Sequence, residues 1–219
     1  MEERKHIVIL AAGDFPTHPV PLRVLHEAHA VVCCDSAYSN LKAAAPRIAD
    51  RAVVIGDGDS MLPCVKRQLG DRYIQVDEQD YNDLHKAMDY VTRLTTDHRP
   101  LITILGATGK REDHTLGNIS YLVTFAEEHP EAEIEMLTDH GFFCAMRGRR
   151  TFASFLCQQV SIFTMDPNIP VYSEGLRWPL DGFHARRWWQ ATLNEALGDS
   201  FTLSAEGWLI VFQTYEPKS

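Results

Sequence analysis

Carboxylates follow two short apolar runs of the chain, at positions where they could hold a cation. Asp57 and Asp59 flank a glycine directly after the run at residues 53–55, and Asp35 follows an earlier run. Mg²⁺ prefers oxygen ligands and is usually held by one or two carboxylates plus phosphate oxygens. The segment 56–60 is therefore predicted to bind a divalent cation. The alternative is an ordinary Asp-Gly turn that caps the next helix.

A third acidic segment contains Asp80 and Asp83. Asp83 and Lys86 lie three residues apart on a predicted helix that begins after Asn82, a residue type that favours helix N-termini. This spacing places both side chains on one helix face, near the end where a ligand would bind. The alternative is an ion pair on the protein surface.

A glycine-rich and basic segment follows the fifth apolar run. Gly106 and Gly109 precede a helical pattern, an arrangement in which backbone N–H groups approach phosphate and the helix N-terminus adds positive potential. Arg111 could hold phosphate through two parallel hydrogen bonds, and His114 could contact phosphate or cap a helix. The alternative is a structural loop with solvated basic residues.

Strands and helices must alternate if these segments are to meet. Continuous apolar runs indicate strands that are buried on both faces. They occupy residues 7–10, 30–33, 52–55, 73–76 and 101–105. Helical spacing is shown by Leu84, Ala87, Met88, Val91 and Leu94, and again by Leu116, Ile119, Val123 and Ala126. The alternation predicts a parallel α/β sheet, in which ligands bind outside the carboxyl ends of the strands.

The pattern changes near residue 140, where short β-prone runs separated by Gly, Pro, Asn and Asp replace the helical periodicity. These runs cover residues 159–163, 188–193, 201–203 and 208–212. We therefore expect a Rossmann-like α/β domain followed by an all-β, sandwich-like unit.

Composition limits the classes of partner and compartment. The formal net charge of −9 argues against a nucleic-acid partner, because phosphate binding usually needs a basic surface. Five cysteines without a CxxC pair predict a reducing compartment rather than a disulfide framework. The apolar run at residues 7–12 is too short for a signal peptide or a membrane span. We expect a cytoplasmic protein without membrane segments.

Taken in order, these segments resemble the thiamine pyrophosphokinase family. The matching stretches are Asp35-Ser36-Ala37, residues 56–60, residues 80–83 with Lys86, residues 106–118, residues 175–180, and Asn194-Glu195. Departures from the family pattern are Gly58 in place of a bulky residue, Lys110 in place of a frequent glycine, Asn82 in place of a frequent threonine, and Leu193 in place of a serine.

The resemblance implies transfer of a diphosphate from ATP to the hydroxyl of thiamine, with Mg²⁺, in a homodimer whose active sites lie at the subunit interface. Residues 1–140 would form the catalytic ATP/Mg-binding domain and residues 141–219 the thiamine-binding domain. The implied catalytic residues are Asp35, Asp57, Asp59, Asp83 and Lys86, of which Asp57, Asp59 and Asp83 would surround the metal. ATP would be bound by Asp80, Gly106, Gly109, Arg111, Asp113, His114 and Asn118. Thiamine would be bound by Trp178, Thr192 and Asn194.

Two other functions are compatible with the same residues. A metal-dependent hydrolase of nucleotides or phosphate esters would use the carboxylates to activate water. A non-catalytic module that senses nucleotide or thiamine would only bind. Trp178 likewise has an alternative role, as a core residue of the β unit.

Overall fold

The five apolar runs of the first unit form strands, and a sixth strand that the sequence patterns did not predict joins them at Glu133–Leu137. The structure, a computed structural model, describes residues 4–59, 61–78, 80–95 and 99–217, and the chain divides into units 1–139 and 140–219. The strands of the first unit are β1 (His6–Leu10), β2 (Ala30–Cys34), β3 (Val53–Gly56), β4 (Tyr73–Gln75), β5 (Leu101–Leu105) and β6 (Glu133–Leu137). Its helices are α1 (Pro19–Glu27), α2 (Ala37–Ala44), α3 (Pro46–Ala49), α4 (Pro63–Leu69), α5 (Asp83–Leu94) and α6 (Glu112–Glu128).

Strand order in this unit is β6-β5-β1-β2-β3-β4, with every pairing parallel. The central strand β1 is buried on both faces, since Val8 and Ile9 are both fully inaccessible to solvent. The chain moves outward from β1 through β2, β3 and β4, and then returns to place β5 on the other side of β1. The strand order therefore reverses between β1 and β5, which is where open α/β sheets form a binding crevice.

Helix α5 begins as the sequence predicts. The side chain of Asn82 accepts a hydrogen bond of 3.0 Å from the backbone N–H of His85, which satisfies one of the free donors at the helix start. Four of the five periodic apolar residues are buried, and Leu94 is exposed because it ends the helix. The cap therefore fixes the position of Asp83, the first residue of the helix.

Helix α6 is present where predicted, but its packed face differs from the expected one. Leu122 and Phe125 are fully buried, whereas Leu116 is exposed. The reason lies in aromatic packing: Phe125 stacks on Tyr121 at 5.2 Å between ring centres and lies 5.7 Å from the ring of His85 on α5. Contacts with α5 therefore select a face one position away from the aliphatic spacing.

The second unit is built from antiparallel strands, which confirms the prediction of an α/β domain followed by a β domain. The strands are β7 (Gly141–Ala153), β8 (Gln158–Thr164), β9 (Tyr172–Glu174), β10 (Asn194–Glu195) and β11 (Ser200–Pro217). Strand β11 pairs with β7 along its length, while its other edge pairs with β9 at residues 202–204 and with β8 from residue 209 onward. A register shift between Ala205 and Leu209 separates the two partners, so one strand serves two parts of the β unit.

The prediction of a β-prone run at residues 188–193 is wrong, because Trp188–Ala191 forms a 3₁₀ helix. Polar groups nearby satisfy this turn. The side chain of Gln190 accepts from the N–H of Arg187 at 2.8 Å, and the hydroxyl of Thr192 donates to the carbonyl of Trp189 at 2.8 Å. These local hydrogen bonds replace the partners that a strand would need.

Within the described ranges, no helix is both long enough and apolar enough to span a membrane.

We expect Asn82→Ala to lower the free energy of unfolding by about 1 kcal/mol, because the first turn of α5 loses its capping acceptor. Urea unfolding followed by circular dichroism measures this change. Asn82→Ser serves as the control, since serine can cap the same helix, and it should retain most of the stability. Equal losses in both variants would show that the cap does not stabilise the helix.

Candidate active site

The carboxylates of Asp35, Asp57 and Asp83 lie near one another around Gly56. Asp35 follows β2, Asp57 follows β3, and Asp83 is the first residue of α5. A Cβ atom at Gly56 would lie 2.8 Å from Cβ of Asp35 and 3.5 Å from Oδ2 of Asp83. A side chain at this position would therefore clash with Asp35, whereas it would only make an ordinary van der Waals contact with Asp83. The backbone N–H of Asp35 donates to the carbonyl of Ile55 at 2.8 Å, which fixes Asp35 beside β3. The predicted convergence of Asp35 and Asp83 on one edge is thus present.

Asp83 carries the electrostatic cost of this crowding. Burial raises the pKa of its carboxyl, and the carboxylates of Asp57 and Asp35 raise that pKa further, while Lys86 opposes them. The ammonium of Lys86 lies 3.7 Å from Oδ1 of Asp83 and donates to the carbonyl of Val76 at 3.3 Å. Lys86 is 6% exposed, so the pair is not the surface ion pair considered as the alternative.

The turn after β3 presents Asp57 and Asp59 in different ways. Oδ1 of Asp57 accepts the backbone N–H of Asp59 at 3.0 Å, and the side chain of Asp59 is exposed. Ser60, the last residue of the predicted metal-binding turn, lies outside the described residues. Among the described residues, no group of three or more His, Cys, Asp or Glu side chains is spaced to share one metal ion. The set Asp57, Asp59 and Asp83 therefore stays a prediction.

The donor set nevertheless suits Mg²⁺. Asp35, Asp57 and Asp83 offer only oxygen, and the charges of Asp57 and Asp35 add to burial, the largest cause, in raising the pKa of the Asp83 carboxyl. A hard divalent cation between them would relieve that repulsion.

Sequence patterns did not single out Tyr73, which lies beside the same carboxylates. Burial, together with the negative charges of Asp35, Asp57, Asp83 and Asp77, raises the pKa of its hydroxyl to about 12. The hydroxyl donates to the carbonyl of Gly56 at 3.4 Å. Tyr73 begins β4, and its sequence neighbourhood looked only like a strand, so the topology that brings β4 beside β3 was needed to find it.

A second part of the candidate site lies at the strand reversal between β1 and β5. The loops after these strands exchange hydrogen bonds: the N–H of Gly13 donates to Gly106 at 2.6 Å and the N–H of Asp14 donates to Thr108 at 2.9 Å. The ammonium of Lys110 donates to the carbonyl of Ala12 at 2.6 Å. The loop after β1 was missed in the sequence, because it carries no cluster of charged residues.

A cavity of about 260 Å³ opens at these loops. It is lined by Ala12, Gly13, Ala107, Gly109, Lys110, Arg111, His114 and Asn118. Four of the predicted phosphate-binding residues therefore share one pocket. Gly106 is not among these lining residues, but its carbonyl accepts a hydrogen bond from the N–H of Gly13, which is. Asn118 accepts a hydrogen bond of 3.4 Å from the side chain of Asn82, which connects this cavity to the start of α5.

Two other predicted residues of this region have local partners. The guanidinium of Arg111 donates to Asp113 through Nε at 3.1 Å and through a terminal nitrogen at 2.5 Å. This pairing holds the pKa of the Asp113 carboxyl at about 2, with a further contribution from the N–H of His114. Asp80 is exposed, and its N–H contacts the carboxylate of Glu78. The predicted contacts of these residues with a ligand stay predictions.

The second unit contains a groove of about 430 Å³ around Trp178. Trp178 is 53% exposed, so it is not a core residue. Buried Asn194 holds its backbone from both sides, accepting from the N–H at 3.2 Å and donating to the carbonyl at 2.7 Å. Thr192 and Leu193 also line the groove, and Leu193 has a left-handed φ of 58°. The three predicted thiamine-binding residues are thus gathered at one groove.

We expect Arg111→Gln to raise the pKa of Asp113 from about 2 towards its ordinary value of 3.8, because the main cause of the low pKa is the Arg111 hydrogen bond. The N–H of His114 remains, so the pKa should stay below 3.8. Because folding lowers this pKa, ionised Asp113 stabilises the fold above about pH 3.8, and that contribution is lost as the pH falls towards 2. Carboxyl NMR titration measures the shift, with Lys110→Gln as the control that should leave it unchanged. An unchanged pKa in Arg111→Gln would contradict the pairing.

Comparison with known proteins places these features in a family. The family model "Thiamin pyrophosphokinase, catalytic domain" matches residues 22–136, and "Thiamin pyrophosphokinase, substrate-binding domain" matches residues 141–212. Thiamine pyrophosphokinase 1 of Oryza sativa subsp. japonica is 30% identical over 142 residues, which cover 59% of this chain and 52% of the relative. The chain thus spans about half the length of the curated relatives it matches.

Solved structures share the fold. Thiamin pyrophosphokinase from Candida albicans superposes with a TM-score of 0.83 at 15% identity, covering 97% of this chain and 90% of the other. The enzyme of the same name from Bacillus subtilis gives a TM-score of 0.76 at 21% identity, covering 96% of this chain and 99% of the other. Since the catalytic-domain model alone matches more than half of the chain, this protein belongs to the thiamin pyrophosphokinase family.

Proposed function

We propose that this protein transfers a diphosphate group from ATP to the hydroxyl of thiamine, giving thiamine diphosphate and AMP, in a Mg²⁺-dependent reaction. The observation that carries the proposal is the arrangement at the carboxyl edge of the sheet. A crowded carboxylate cluster and a glycine-lined basic cavity lie along one edge, connected through the Asn82–Asn118 hydrogen bond. Family membership supplies the identity of the two substrates.

The reaction forms a bond between the thiamine hydroxyl oxygen and the β-phosphorus of ATP. The bond from the β-phosphorus to the oxygen that bridges to the α-phosphate breaks, so AMP leaves with that oxygen and the hydroxyl proton is released. Such a transfer needs the attacking and leaving oxygens in line and the phosphate charge offset.

The cavity between the β1 and β5 loops suits the phosphate chain. Backbone N–H groups near Gly109 and the start of α6 supply partial positive charge, and Arg111 and His114 stand at the rim. The guanidinium of Arg111 is already oriented by Asp113, which limits the rotamers it must lose on binding phosphate. Lys86 adds a buried positive charge on the side of the carboxylates.

The carboxylates would hold the metal. Asp57, Asp59 and Asp83 are the proposed ligands, and Asp35 lies against the same turn. When bound, Mg²⁺ supplies positive charge that neutralises the phosphate oxygens. Asp80 is proposed to line the outer margin of the metal and phosphate site, because it precedes the capped start of α5.

The groove of the second unit is the proposed site for thiamine. Trp178 presents an exposed ring, and an aromatic face attracts a planar cation through stacking and cation–π interaction. Thr192 supplies a hydroxyl at the same groove, and Asn194 holds Trp178 in place. The family resemblance adds a homodimer with active sites at the subunit interface. The five cysteines form no disulfide within the described ranges, which supports the proposal of a reducing, cytoplasmic location.

The decisive experiment incubates the protein with ATP and Mg²⁺, with and without thiamine, and identifies products by chromatography. We expect thiamine diphosphate and AMP only when thiamine is present. AMP formed at the same rate without thiamine would identify a hydrolase instead. Tight binding of both ligands by calorimetry, without product, would identify a sensing module.

In the same assay, Asp57→Asn should lower kcat by at least about a hundredfold, because a site carboxylate is lost at the centre of charge stabilisation. Circular dichroism should show an intact fold. Asp71→Asn is the matched control: Asp71 is exposed and precedes β4, at the opposite edge of the sheet, and its loss should leave kcat unchanged. Full activity in Asp57→Asn would remove Asp57 from the proposed metal site.

A further inference from the structure

Lys66 of α4 reaches the acidic turn through space that Gly58 leaves open. A Cβ atom at Gly58 would lie 2.0 Å from Nζ of Lys66 and 2.3 Å from the hydroxyl of Tyr73. Both atoms therefore occupy the space that a side chain at position 58 would fill. Gly58 also has φ of +83°, a conformation that residues with a side chain rarely adopt. The missing side chain thus serves the backbone turn and the approach of the ammonium at once.

Tyr73 fixes the position of this ammonium. Nζ of Lys66 lies 5.3 Å from the centre of the Tyr73 ring, within the range of a cation–π interaction. The tyrosine is itself held by its place in β4 and by the hydrogen bond from its hydroxyl to Gly56. Lys66 is half-buried, so its charge is not fully screened by water. It rests on an ordered surface rather than sampling solvent freely.

The Lys66 ammonium lies at the turn that carries the proposed metal ligands. Gly58 separates Asp57 from Asp59, the two proposed metal ligands of the turn, so the ammonium lies beside the backbone between them. The carboxylates of Asp35, Asp57 and Asp83 lie near enough to the Tyr73 hydroxyl to raise its pKa. Lys86 balances charge at Asp83, on the other side of this cluster. Lys66 is placed to balance the turn itself.

We propose that Lys66 is a positioning residue that acts as a tethered counter-ion of the acidic turn, admitted by Gly58, and that it competes with the divalent cation for the turn. The ammonium keeps the carboxylates together before the metal arrives, and it lowers the affinity of the turn for a free divalent ion. Metal bound to a nucleotide carries its own phosphate ligands and can offset this cost, so the turn favours the metal–nucleotide complex over the bare ion. The inference rests on the metal site of the proposed function.

The test measures binding of Mn²⁺ alone, without nucleotide or thiamine, from the loss of the free-ion electron paramagnetic resonance signal. Lys66→Gln should bind Mn²⁺ about two- to tenfold more tightly than the wild type, because one nearby positive charge is gone. The difference should shrink as KCl is raised, since salt screens interactions between charges. Lys66→Arg keeps the charge and should restore the affinity of the wild type.

Two controls tie the effect to this turn. Lys5→Gln removes an equal charge before the amino end of β1, at the opposite edge of the sheet, and should leave Mn²⁺ binding unchanged. Asp57→Asn should weaken Mn²⁺ binding, which shows that the measured ion sits at the turn. Thermal unfolding without metal adds a further readout: Lys66→Gln should melt at a lower temperature, and Mn²⁺ should raise its melting temperature more than that of the wild type.

An Mn²⁺ affinity in Lys66→Gln at or below that of the wild type would overturn the proposal, as would binding that survives Asp57→Asn. Because no substrate is present, this result is separate from the activity assay. A protein that makes thiamine diphosphate but fails the Mn²⁺ test refutes only the counter-ion role. A protein that passes the Mn²⁺ test but makes no product refutes only the proposed reaction.

Discussion

The crowding of three carboxylates at one edge of a parallel sheet is the constraint on which the rest of the first unit depends. The carboxyl ends of parallel strands lie at the same side of the sheet. The loops after β2, β3 and β4 therefore bring Asp35, Asp57 and Asp83 together although their negative charges repel one another. Several features of the structure offset this repulsion. Gly56 gives the side chains room, Lys86 is buried beside Asp83, and strands buried on both faces hold the edge in place.

The basic cavity solves the complementary problem. It lies at the strand reversal, next to the acidic cluster, and is formed by backbone and glycine more than by charged side chains. Its charged residues are held by partners, as Arg111 is by Asp113 and Lys110 by the carbonyl of Ala12. A phosphate chain that spans both parts would meet fixed positive groups at one end and the proposed metal ligands at the other. Preorganisation of this kind lowers the entropy lost on binding.

Much of this architecture could be predicted from the sequence because its signals are local. Apolar runs predicted five strands of the first unit, and Asn82 predicted the start of α5. The order of turns after strands predicted that the carboxylates lie on one edge. Three features escaped prediction because they depend on distant partners. Tyr73 acquires its role only when β4 pairs with β3, and the loop at Gly13 only when β1 pairs with β5. The packed face of α6 depends on the ring of His85.

Leucine and tryptophan spacing also misled at residues 188–193, where side-chain amide and hydroxyl groups complete a 3₁₀ turn that hydrophobic pattern cannot reveal. The groove around Trp178 illustrates the same limit. Trp178 was predicted to bind the ligand, with a core position as the alternative, and its exposure excludes the core position. Its backbone is held by two hydrogen bonds from a residue sixteen positions away, which the sequence pattern does not reveal.

The interlocked loops after β1 and β5 couple ligand binding to folding. Gly13 and Gly106 are far apart in the chain, so their shared cavity does not exist until the central strand pair has closed, a slow step for non-local contacts. A ligand that binds there recognises only the folded unit and draws the equilibrium towards it. The abundance of folded protein should therefore follow the supply of any ligand that binds this cavity, and a cell depleted of such a ligand would hold more of the chain in a form open to proteases.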